Sequence, residues 1–313
     1  MCYFTPLEKN RQSLLSQEHY PYSHMLAFIF RLLSYLPLPL LHAMGIVLGW
    51  TVYLASGTYR RRLKENITQA GFAQHLPKAI AEAGKNMLEL PFIWCASPER
   101  VLRSIRIENW SMVDQAAAAG KGIMFLTPHL GCFEITAQVV AAQLPITVLY
   151  RPPRQAALKP LIEGARARHN LSLAPANLTG VRALLKVLKK NGVIGLLPDQ
   201  VPQNGEGIWA DFFGKPAYTM TLPAKMLEMT GTSMILIFAE RLPYGRGYVL
   251  HLRPFSIPPD LPAAEQVRAI NAAMEQLIAL CPAQYFWSYN HYKIPAGVAP
   301  PQATGTSDKE SPP

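Results

Sequence analysis

The sequence predicts an α/β fold: one domain with a central mixed, mostly parallel sheet flanked by helices, preceded by a membrane-associated apolar helix. Beyond residue 65, short apolar runs alternate with helical stretches, which is typical of α/β proteins. At 313 residues the chain can bury one large core. We divide the chain into a polar segment (1–24), a membrane-spanning or interfacial helical segment (25–57), an α/β domain (58–295) and a disordered tail (296–313).

The apolar segment contains residues 32–57, which include no Asp, Glu, Lys or Arg. A membrane-spanning helix needs about 20 apolar residues. Because Pro37 and Pro39 would interrupt a helix, the segment predicts either one short span after the prolines or two half-buried interfacial helices. A buried core helix is the alternative. The membrane is favoured by the cations that follow at once, which are Arg60, Arg61, Arg62 and Lys64.

The composition favours anionic partners. The formal net charge is +10, which fits nucleic acid, anionic lipid or an acidic protein as the partner. Half of the residues are hydrophobic, which favours contact with a membrane. The chain has no RNP-like block, zinc-ligand spacing or helix-turn-helix pattern, which argues against nucleic acid. Its four cysteines are far apart and form no CxxC pair, so they fit reduced thiols better than a disulfide frame or a zinc site.

The α/β domain contains five apolar runs that predict strands, with helices between them. The strands are predicted at 123–127, 146–150, 193–197, 234–239 and 248–252. The helices are predicted at 133–142, 155–169, 181–190, 222–229 and 263–280. In an open α/β sheet, ligands bind at the carboxyl ends of the strands, so the residues that follow each strand are the candidates for a site.

Three of the predicted strands end in polar residues. His129 follows the first strand, and Glu134 comes five residues later. Arg151 follows the second strand, and Asp199 and Gln200 follow the third. This recurrence predicts a polar site at one edge of the sheet.

His129 and Glu134 are predicted to act as a general base and its orienting carboxylate. A neutral imidazole accepts a proton near pH 7, and a carboxylate on the other ring nitrogen fixes its tautomer. Gly131, between them, leaves room for a substrate beside the backbone. The spacing alone is common by chance, so an ordinary turn histidine is the alternative.

Arg151 would supply a positive charge to an oxyanion or a phosphate, although a surface ion pair is the alternative. Asp199 would orient that arginine, hold a substrate hydroxyl or cap the next turn. The sequence has no GxSxG, HExxH or GxxxxGK[ST] motif, and no GxGxxG follows a strand. A histidine base without a protein nucleophile predicts direct attack by a substrate hydroxyl.

Five blocks of the sequence support a more specific interpretation. They are PHLGCFE, YRPPR at 150–154, LLPDQ at 196–200, GIWADFFGKPAYT at 207–219 and QYFWSYNHYK at 284–293. In order and spacing they resemble the blocks of the lipid A late acyltransferases, in which the first is the H-x4-D/E motif of the lysophospholipid acyltransferase superfamily. The resemblance covers roughly residues 25–295.

The resemblance implies an enzyme of the bacterial inner membrane with its acyltransferase domain in the cytoplasm. The reaction would transfer a fatty acyl chain from acyl carrier protein to a hydroxyl of a lipid A precursor, without metal, cofactor or covalent enzyme intermediate. His129 would be the general base and Glu134 its partner. Arg151 and Asp199 match polar positions of the second and third blocks.

The same resemblance extends to the substrates and to a docking surface. Substrate contacts are expected at Gly131, Gln200, Phe213, Gly214, Lys215, Trp287 and Lys293. Acyl carrier protein or lipid phosphate would dock on a basic helix containing Arg182, Lys186, Lys189 and Lys190, for which a solvated helix face is the alternative. Many relatives have a basic pair where this chain has Asn290 and His291, a difference that would change acceptor preference if that pair contacts a phosphate or sugar acid.

Two other functions stay open at this point. One is acyl transfer to a lysophospholipid or a glycosylated phospholipid, whose enzymes share the H-x4-D/E motif but often differ in the third block. The other is a membrane lipid-binding protein with a dead site, against which the intact His129 and Glu134 argue.

Overall fold

The computed structural model describes residues 21–151, 164, 170–258 and 260–301, with side chains from residue 25 onward. The polar segment up to residue 20 and the tail from residue 302 lie outside this range. The helix predicted at 155–169 also lies outside it, apart from position 164.

Between residues 21 and 95, the described part of the chain forms four α-helices: α1 (Pro21–Ser34), α2 (Leu38–Ala55), α3 (Gly57–Gln69) and α4 (Leu76–Cys95). Pro37 is the N-cap of α2 and Pro39 lies in its first turn, where a proline disrupts no helical hydrogen bond. The prolines therefore separate two helices. Among the described residues, α2 is the one helix long and apolar enough to cross a membrane, and 28% of it is buried within the protein.

The α/β domain begins after α4. Its elements are α5 (Pro98–Arg103), β1 (Ile105–Ile107), α6 (Ser111–Ala118), β2 (Ile123–Leu126), α7 (Phe133–Ala141), β3 (Ile146–Tyr150), β4 (Leu171–Pro175), α8 (Leu178–Leu188), β5 (Val193–Leu196), β6 (Gly207–Phe212), β7 (Lys215–Met220), α9 (Leu222–Thr230), β8 (Ser233–Arg241), β9 (Tyr248–Phe255) and α10 (Ala263–Leu280).

Seven strands form one mixed sheet in the order β1-β9-β8-β2-β5-β3-β4. All neighbouring strands are parallel except β8 and β9, which are antiparallel. The predicted fold class is confirmed. The sequence reading missed β1 and β4, which are short strands at the two edges of the sheet, and the separate antiparallel hairpin of β6 and β7, whose first strand is mostly half-buried.

The sheet separates two hydrophobic cores. In β2, Met124 and Leu126 face the core that also contains residues of α3, α8 and α10. Ile123 and Phe125 face the opposite core, which contains residues of α4 and α7. Because successive side chains of a strand point to opposite faces, a strand covered on both faces is apolar throughout. This explains why the central strands were readable as continuous apolar runs.

A buried ion network joins α4 to the sheet. Arg241, the last residue of β8, donates from Nε and Nη2 to Glu89, and from Nη1 to Glu82 at 2.8 Å. The Tyr248 hydroxyl donates to Glu89 at 2.9 Å. Burial alone would raise the pKa of Glu89, but Arg241, together with His42, lowers it to about 2. Glu82 also pairs with Lys85 Nζ through Oε1 at 2.6 Å, so the two carboxylates of α4 are matched by two cations.

Replacing Arg241 with methionine would leave the buried Glu89 without its guanidinium, whereas Glu82 would keep Lys85. We expect the free energy of unfolding to fall by about 3–5 kcal/mol, because an unpaired buried charge is strongly destabilising. Arg253→Met, at an exposed position of β9, is the matched control and should change it by less than about 0.5 kcal/mol. Urea unfolding of the detergent-purified protein measures both, and equal effects would contradict a stabilising network.

Candidate active site

The site lies where the carboxyl ends of β2 and β5 meet. Leu126 of β2 pairs with Leu196 of β5 in parallel register. His129 and Asp199 each follow that pair by three residues, and a proline immediately precedes each of them. Two equal offsets from one register pair bring the two side chains opposite each other.

His129 contacts Asp199 through both its ring and its backbone. Nδ1 of the ring lies 2.8 Å from Asp199 Oδ1, and the His129 backbone N–H donates to Oδ2 at 2.8 Å. On the other side of the ring, Nε2 lies 3.1 Å from Nε2 of Gln200. Asp199 is buried, whereas the His129 ring is half-buried. The imidazole is thus the member of the pair that a substrate can reach.

The contacts of Asp199 determine the tautomer of His129. Burial alone would raise the pKa of Asp199, but the charge and hydrogen bonds of His129, with a contribution from His291, bring it below its usual value. The ionised carboxylate only accepts hydrogen bonds, so Nδ1 of His129 carries the proton. The lone pair of the neutral ring is then on Nε2, where the Gln200 amide donates to it. Nε2 is the atom that can accept a proton from a substrate.

The carboxylate at Nδ1 belongs to Asp199, so the predicted pairing of His129 with Glu134 is wrong. Glu134 lies in the first turn of α7 and accepts a hydrogen bond from Nε1 of Trp94 at 3.2 Å. The helix carries Glu134 toward α4, while the register of the sheet places Asp199 beside the ring. Asp199 therefore contacts the histidine ring, whereas the sequence suggested that it orients Arg151, holds a substrate hydroxyl or caps the next turn.

Tyr285 and His291 hold Asp199 from behind. The Tyr285 hydroxyl donates to Asp199 Oδ2 at 3.1 Å and lies 2.8 Å from Nε2 of His291. Burial and the nearby Asp199 raise the pKa of Tyr285 well above its usual value. Burial lowers the pKa of His291 to about 4, against the opposing effect of Asp199. His291 is thus a neutral buried residue that supports the site, not a surface group placed to contact an acceptor phosphate.

Gly131 has a structural role that differs from the predicted one. Its φ is +60°, and a Cβ there would lie 2.0 Å from the carbonyl oxygen of Ala239. The space that was expected to admit a substrate is therefore filled by β8. The Gly131 N–H donates to the Gln284 carbonyl at 3.1 Å, and its own carbonyl accepts from Asn86 at 2.9 Å and from Arg241 at 3.3 Å.

A cavity of about 600 Å³ lies beside His129. Its polar lining includes four residues predicted from the sequence, namely His129, Glu134, Arg151 and Gln200. The other polar lining residues are Thr127, Thr136, Gln138, Asn177, Glu206, Thr221 and Lys225. Most of the other walls are apolar side chains of β2, β3, β5 and α7. An apolar cavity with a few convergent polar groups is typical of a site for an elongated apolar ligand. The three strand ends selected from the sequence thus contribute to one cavity.

The later blocks do not line this cavity, so the substrate contacts predicted in them lie outside it and stay predictions. Phe213, next to Gly214, packs edge-on against Phe72 and near the buried Trp287. The ammonium of Lys215 lies 4.6 Å from the ring centre of Tyr292, and that of Lys293 lies 5.6 Å from the ring centre of Tyr289. Together these residues form an aromatic cluster that encloses Tyr285, Trp287 and His291.

The described residues contain no group of three His, Cys, Asp or Glu side chains placed to hold a metal ion. Cys132 and Cys281 are free thiols. Burial raises the pKa of the Cys132 thiol well above its usual value, so this thiol stays protonated beside the turn that carries His129 and Gly131.

Comparison with known proteins identifies relatives over nearly the whole chain. The profile of the bacterial lipid A biosynthesis acyltransferase family matches residues 8–294. The lipid A biosynthesis lauroyltransferase of Escherichia coli (strain K12) is 25% identical over 276 residues, which cover 84% of this chain and 89% of the relative.

Two further relatives are similar to the chain at nearly the same level. The lipid A biosynthesis acyltransferase of Haemophilus influenzae is 24% identical over 83% of this chain and 84% of the relative. The lipid A biosynthesis palmitoleoyltransferase of Escherichia coli (strain K12) is 24% identical over 82% of this chain and 86% of the relative. The named acyl groups differ among these relatives.

The low pKa of His291 predicts an acid-sensitive site. Between pH 6.5 and about 4, the unfolded chain binds a proton at this position and the folded chain does not, so the free energy of unfolding falls as the pH falls. The loss should be on the order of 3 kcal/mol. His291→Gln should lack this part of the pH dependence, and the half-buried His75→Gln is the control. A stability difference between wild type and His291→Gln that stays constant across this interval would contradict the low pKa.

Proposed function

Because the chain belongs to the bacterial lipid A biosynthesis acyltransferase family, we propose that it transfers a fatty acyl chain from acyl carrier protein to a hydroxyl of a lipid A precursor. The observation that carries this proposal is the His129–Asp199 pair beside an apolar cavity of about 600 Å³. The pair supplies a base, and the cavity suits the acyl chain.

In the proposed reaction, Nε2 of His129 removes the proton of the acceptor hydroxyl as its oxygen attacks the thioester carbonyl of the donor. The acceptor hydroxyl takes the place of the Gln200 amide, which occupies Nε2 in the free enzyme. Asp199 keeps Nδ1 protonated and stabilises the imidazolium that forms. The ester bond forms as the carbon–sulfur bond breaks, and the imidazolium returns its proton to the leaving carrier thiolate.

The negative charge of the tetrahedral intermediate needs a counterion. Arg151, an exposed residue directly after β3, lines the same cavity as His129 and would supply it. Glu134 also lines the cavity, and we assign it to the contacts with the reacting groups rather than to the histidine ring. Direct attack by the hydroxyl requires no covalent enzyme intermediate.

The acyl chain would lie across one row of the sheet. Phe125 and Val148 both pair with Gly195, and all three residues line the cavity together with Ile146. A Cβ at Gly195 would lie 3.1 Å from Cγ1 of Val148 and 3.4 Å from Cδ1 of Ile146. The missing side chain at Gly195 thus leaves space in the floor of the cavity.

The exposed cations of α8 and the apolar helices α1 and α2 support the proposed acyl donor and the proposed compartment. Val181 of α8 lines the cavity, and the same helix and its C-terminal end carry four exposed cations, Arg182, Lys186, Lys189 and Lys190. These cations suit an acidic acyl carrier protein, which is cytosolic. We therefore propose an inner-membrane enzyme whose active site faces the cytoplasm.

The function is tested with purified enzyme, acyl carrier protein bearing a labelled acyl chain, and a lipid A precursor, with the product identified by mass spectrometry. Wild type should form one new ester on the precursor, whereas lysophospholipid acceptors should give little product. In cells, deletion should remove one secondary acyl chain from lipid A. Lipid A that is unchanged by the deletion would overturn the assignment.

Variants of the two carboxylates separate their roles. His129→Ala and Asp199→Asn should each lower kcat by a factor of about 10³ or more, because both remove the oriented base. Glu134→Gln should cause a smaller loss, roughly ten- to hundredfold, since the ring keeps its partner. His75→Ala is the control. If Glu134→Gln abolishes activity while Asp199→Asn preserves it, Asp199 does not orient the base.

Gly195 should determine the longest acyl chain that the cavity accepts. Each buried methylene contributes about 0.8 kcal/mol, so Gly195→Leu should lower kcat/KM for a myristoyl donor about tenfold or more and spare a decanoyl donor. Gly195→Ala should give an intermediate result. Equal losses with both donors would contradict an acyl chain bound along this row.

A further inference from the structure

The apolar helix α2 lies along α4 over most of its length instead of standing clear of the protein. Near its start, Nε2 of His42 lies 3.4 Å from Oε2 of Glu89. Further along, a Cβ at Gly49 would lie 2.2 Å from a backbone oxygen of α4, and a Cβ at Gly84 would lie 1.9 Å from the carbonyl oxygen of Gly45. Such contacts require glycine on both helices, and they fix α2 antiparallel against α4.

The start of α2 is fixed to the α/β domain. Arg100 of α5 donates to the carbonyl oxygens of Ser34 at 2.6 Å and Leu36 at 3.0 Å, which lie between α1 and α2. Gly245, in the turn between β8 and β9, is so close to Pro39 that a Cβ there would lie 2.4 Å from the Pro39 nitrogen. Two separate parts of the domain thus hold the beginning of the helix.

The end of α2 is fixed to the same domain through α3, which follows after one residue. Leu63 and Ile67 of α3 are buried in the core beneath the sheet. Asn66 donates to the carbonyl oxygens of Trp287 at 2.7 Å and Tyr289 at 2.8 Å. The end of the helix is therefore held close to the residues that enclose the active site.

These attachments prevent α2 from crossing a bilayer. Its 18 residues would extend about 27 Å, so a spanning α2 would place its two ends on opposite sides of the hydrocarbon core. Both ends are held by one domain. Crossing would also draw α4, with its charged residues Lys78, Glu82 and Lys85, into the hydrocarbon, where charges are expensive.

The outer faces of α1 and α2 nevertheless form a continuous run of exposed apolar residues, which we call the apolar face. Six of its members, each between 38% and 67% exposed, are Phe28, Leu32, Leu40, Val47, Trp50 and Leu54. Tyr244, at the tip of the turn that contacts Pro39, is 85% exposed. On a soluble protein, an exposed apolar face that extends over two helices marks a binding site for a partner or a membrane.

The charges beside the apolar face indicate which partner covers it. Arg31 of α1 is exposed, and α3 carries four exposed cations immediately after α2, namely Arg60, Arg61, Arg62 and Lys64. The acidic residue Glu65 follows this cluster and lies 3.9 Å from one of its cations, Arg61. A wide apolar face next to surplus cations complements a leaflet with anionic headgroups.

We propose that α1 and α2 form an in-plane anchor whose apolar face inserts into one leaflet of an anionic bilayer, with both ends of α2 on the side of the active site. The choice of a bilayer as occupant rests on the proposed function, because that function requires a lipid acceptor. The geometry of the anchor rests on the helix contacts alone. Asn86 of α4 donates a hydrogen bond to the Gly131 carbonyl, so the anchor also brings the turn that carries His129 to the membrane surface.

Topology is tested by cysteine labelling in a Cys2→Ser, Cys95→Ser, Cys281→Ser background, which keeps only the buried Cys132. Arg31→Cys lies before α2 and Arg103→Cys lies in the α/β domain, and both side chains are exposed. In cells with a permeabilised outer membrane, a membrane-impermeant maleimide should label neither position, and after lysis it should label both. Labelling of Arg31→Cys alone before lysis would show a membrane span and overturn the proposal.

Membrane binding is tested by flotation with vesicles of phosphatidylethanolamine and phosphatidylglycerol after detergent removal. Val47→Glu with Leu54→Glu should reduce the bound fraction at least tenfold, whereas the control pair Met229→Glu with Leu280→Glu, exposed on α9 and α10, should not. If the first pair floats like wild type, or instead separates a dimer, the apolar face is covered by something else. Neither assay measures acyl transfer, so the proposed function fails or holds independently.

Discussion

The parallel register between β2 and β5 is the constraint on which the site depends. With Leu126 opposite Leu196, equal loop lengths after the two strands place His129 against Asp199. Shifting that register would separate the base from its carboxylate and would also move Gly195 out of the row that floors the cavity. One set of backbone hydrogen bonds therefore fixes both the position of His129 against Asp199 and the shape of the cavity beside them.

The turn that carries His129 and Gly131 is also held by side chains of α4 and β8. The Gly131 carbonyl accepts from Asn86 and Arg241, and the Arg241 guanidinium in turn binds the carboxylates of α4. The backbone two residues after His129 is thus attached to a buried ionic cluster. Such support keeps a base within the narrow range of positions that proton transfer requires.

The sequence predicted the fold class and the edge of the sheet that carries the site, because fully buried strands are apolar throughout and polar residues follow their ends. It selected His129, Arg151 and Gln200 correctly as neighbours of one cavity, and Asp199 as a residue of the same site, where it is buried beside His129. It paired the histidine with the wrong carboxylate, because the H-x4-E spacing is local whereas register is a long-range property. The equal distance from each strand to Pro-His and to Pro-Asp was the available signal.

The glycines of α2 have a consequence for how the protein reaches its site of work. Gly45 and Gly49 gain their contacts from the backbone of α4, which is synthesised later, so the helix can dock only once that partner exists. In the proposed in-plane anchor, the apolar face of α2 thus takes its final orientation only after α4 has folded against the helix. Loosening the α2–α4 contact would therefore change how the helix is presented to a membrane without altering the contact between His129 and Asp199.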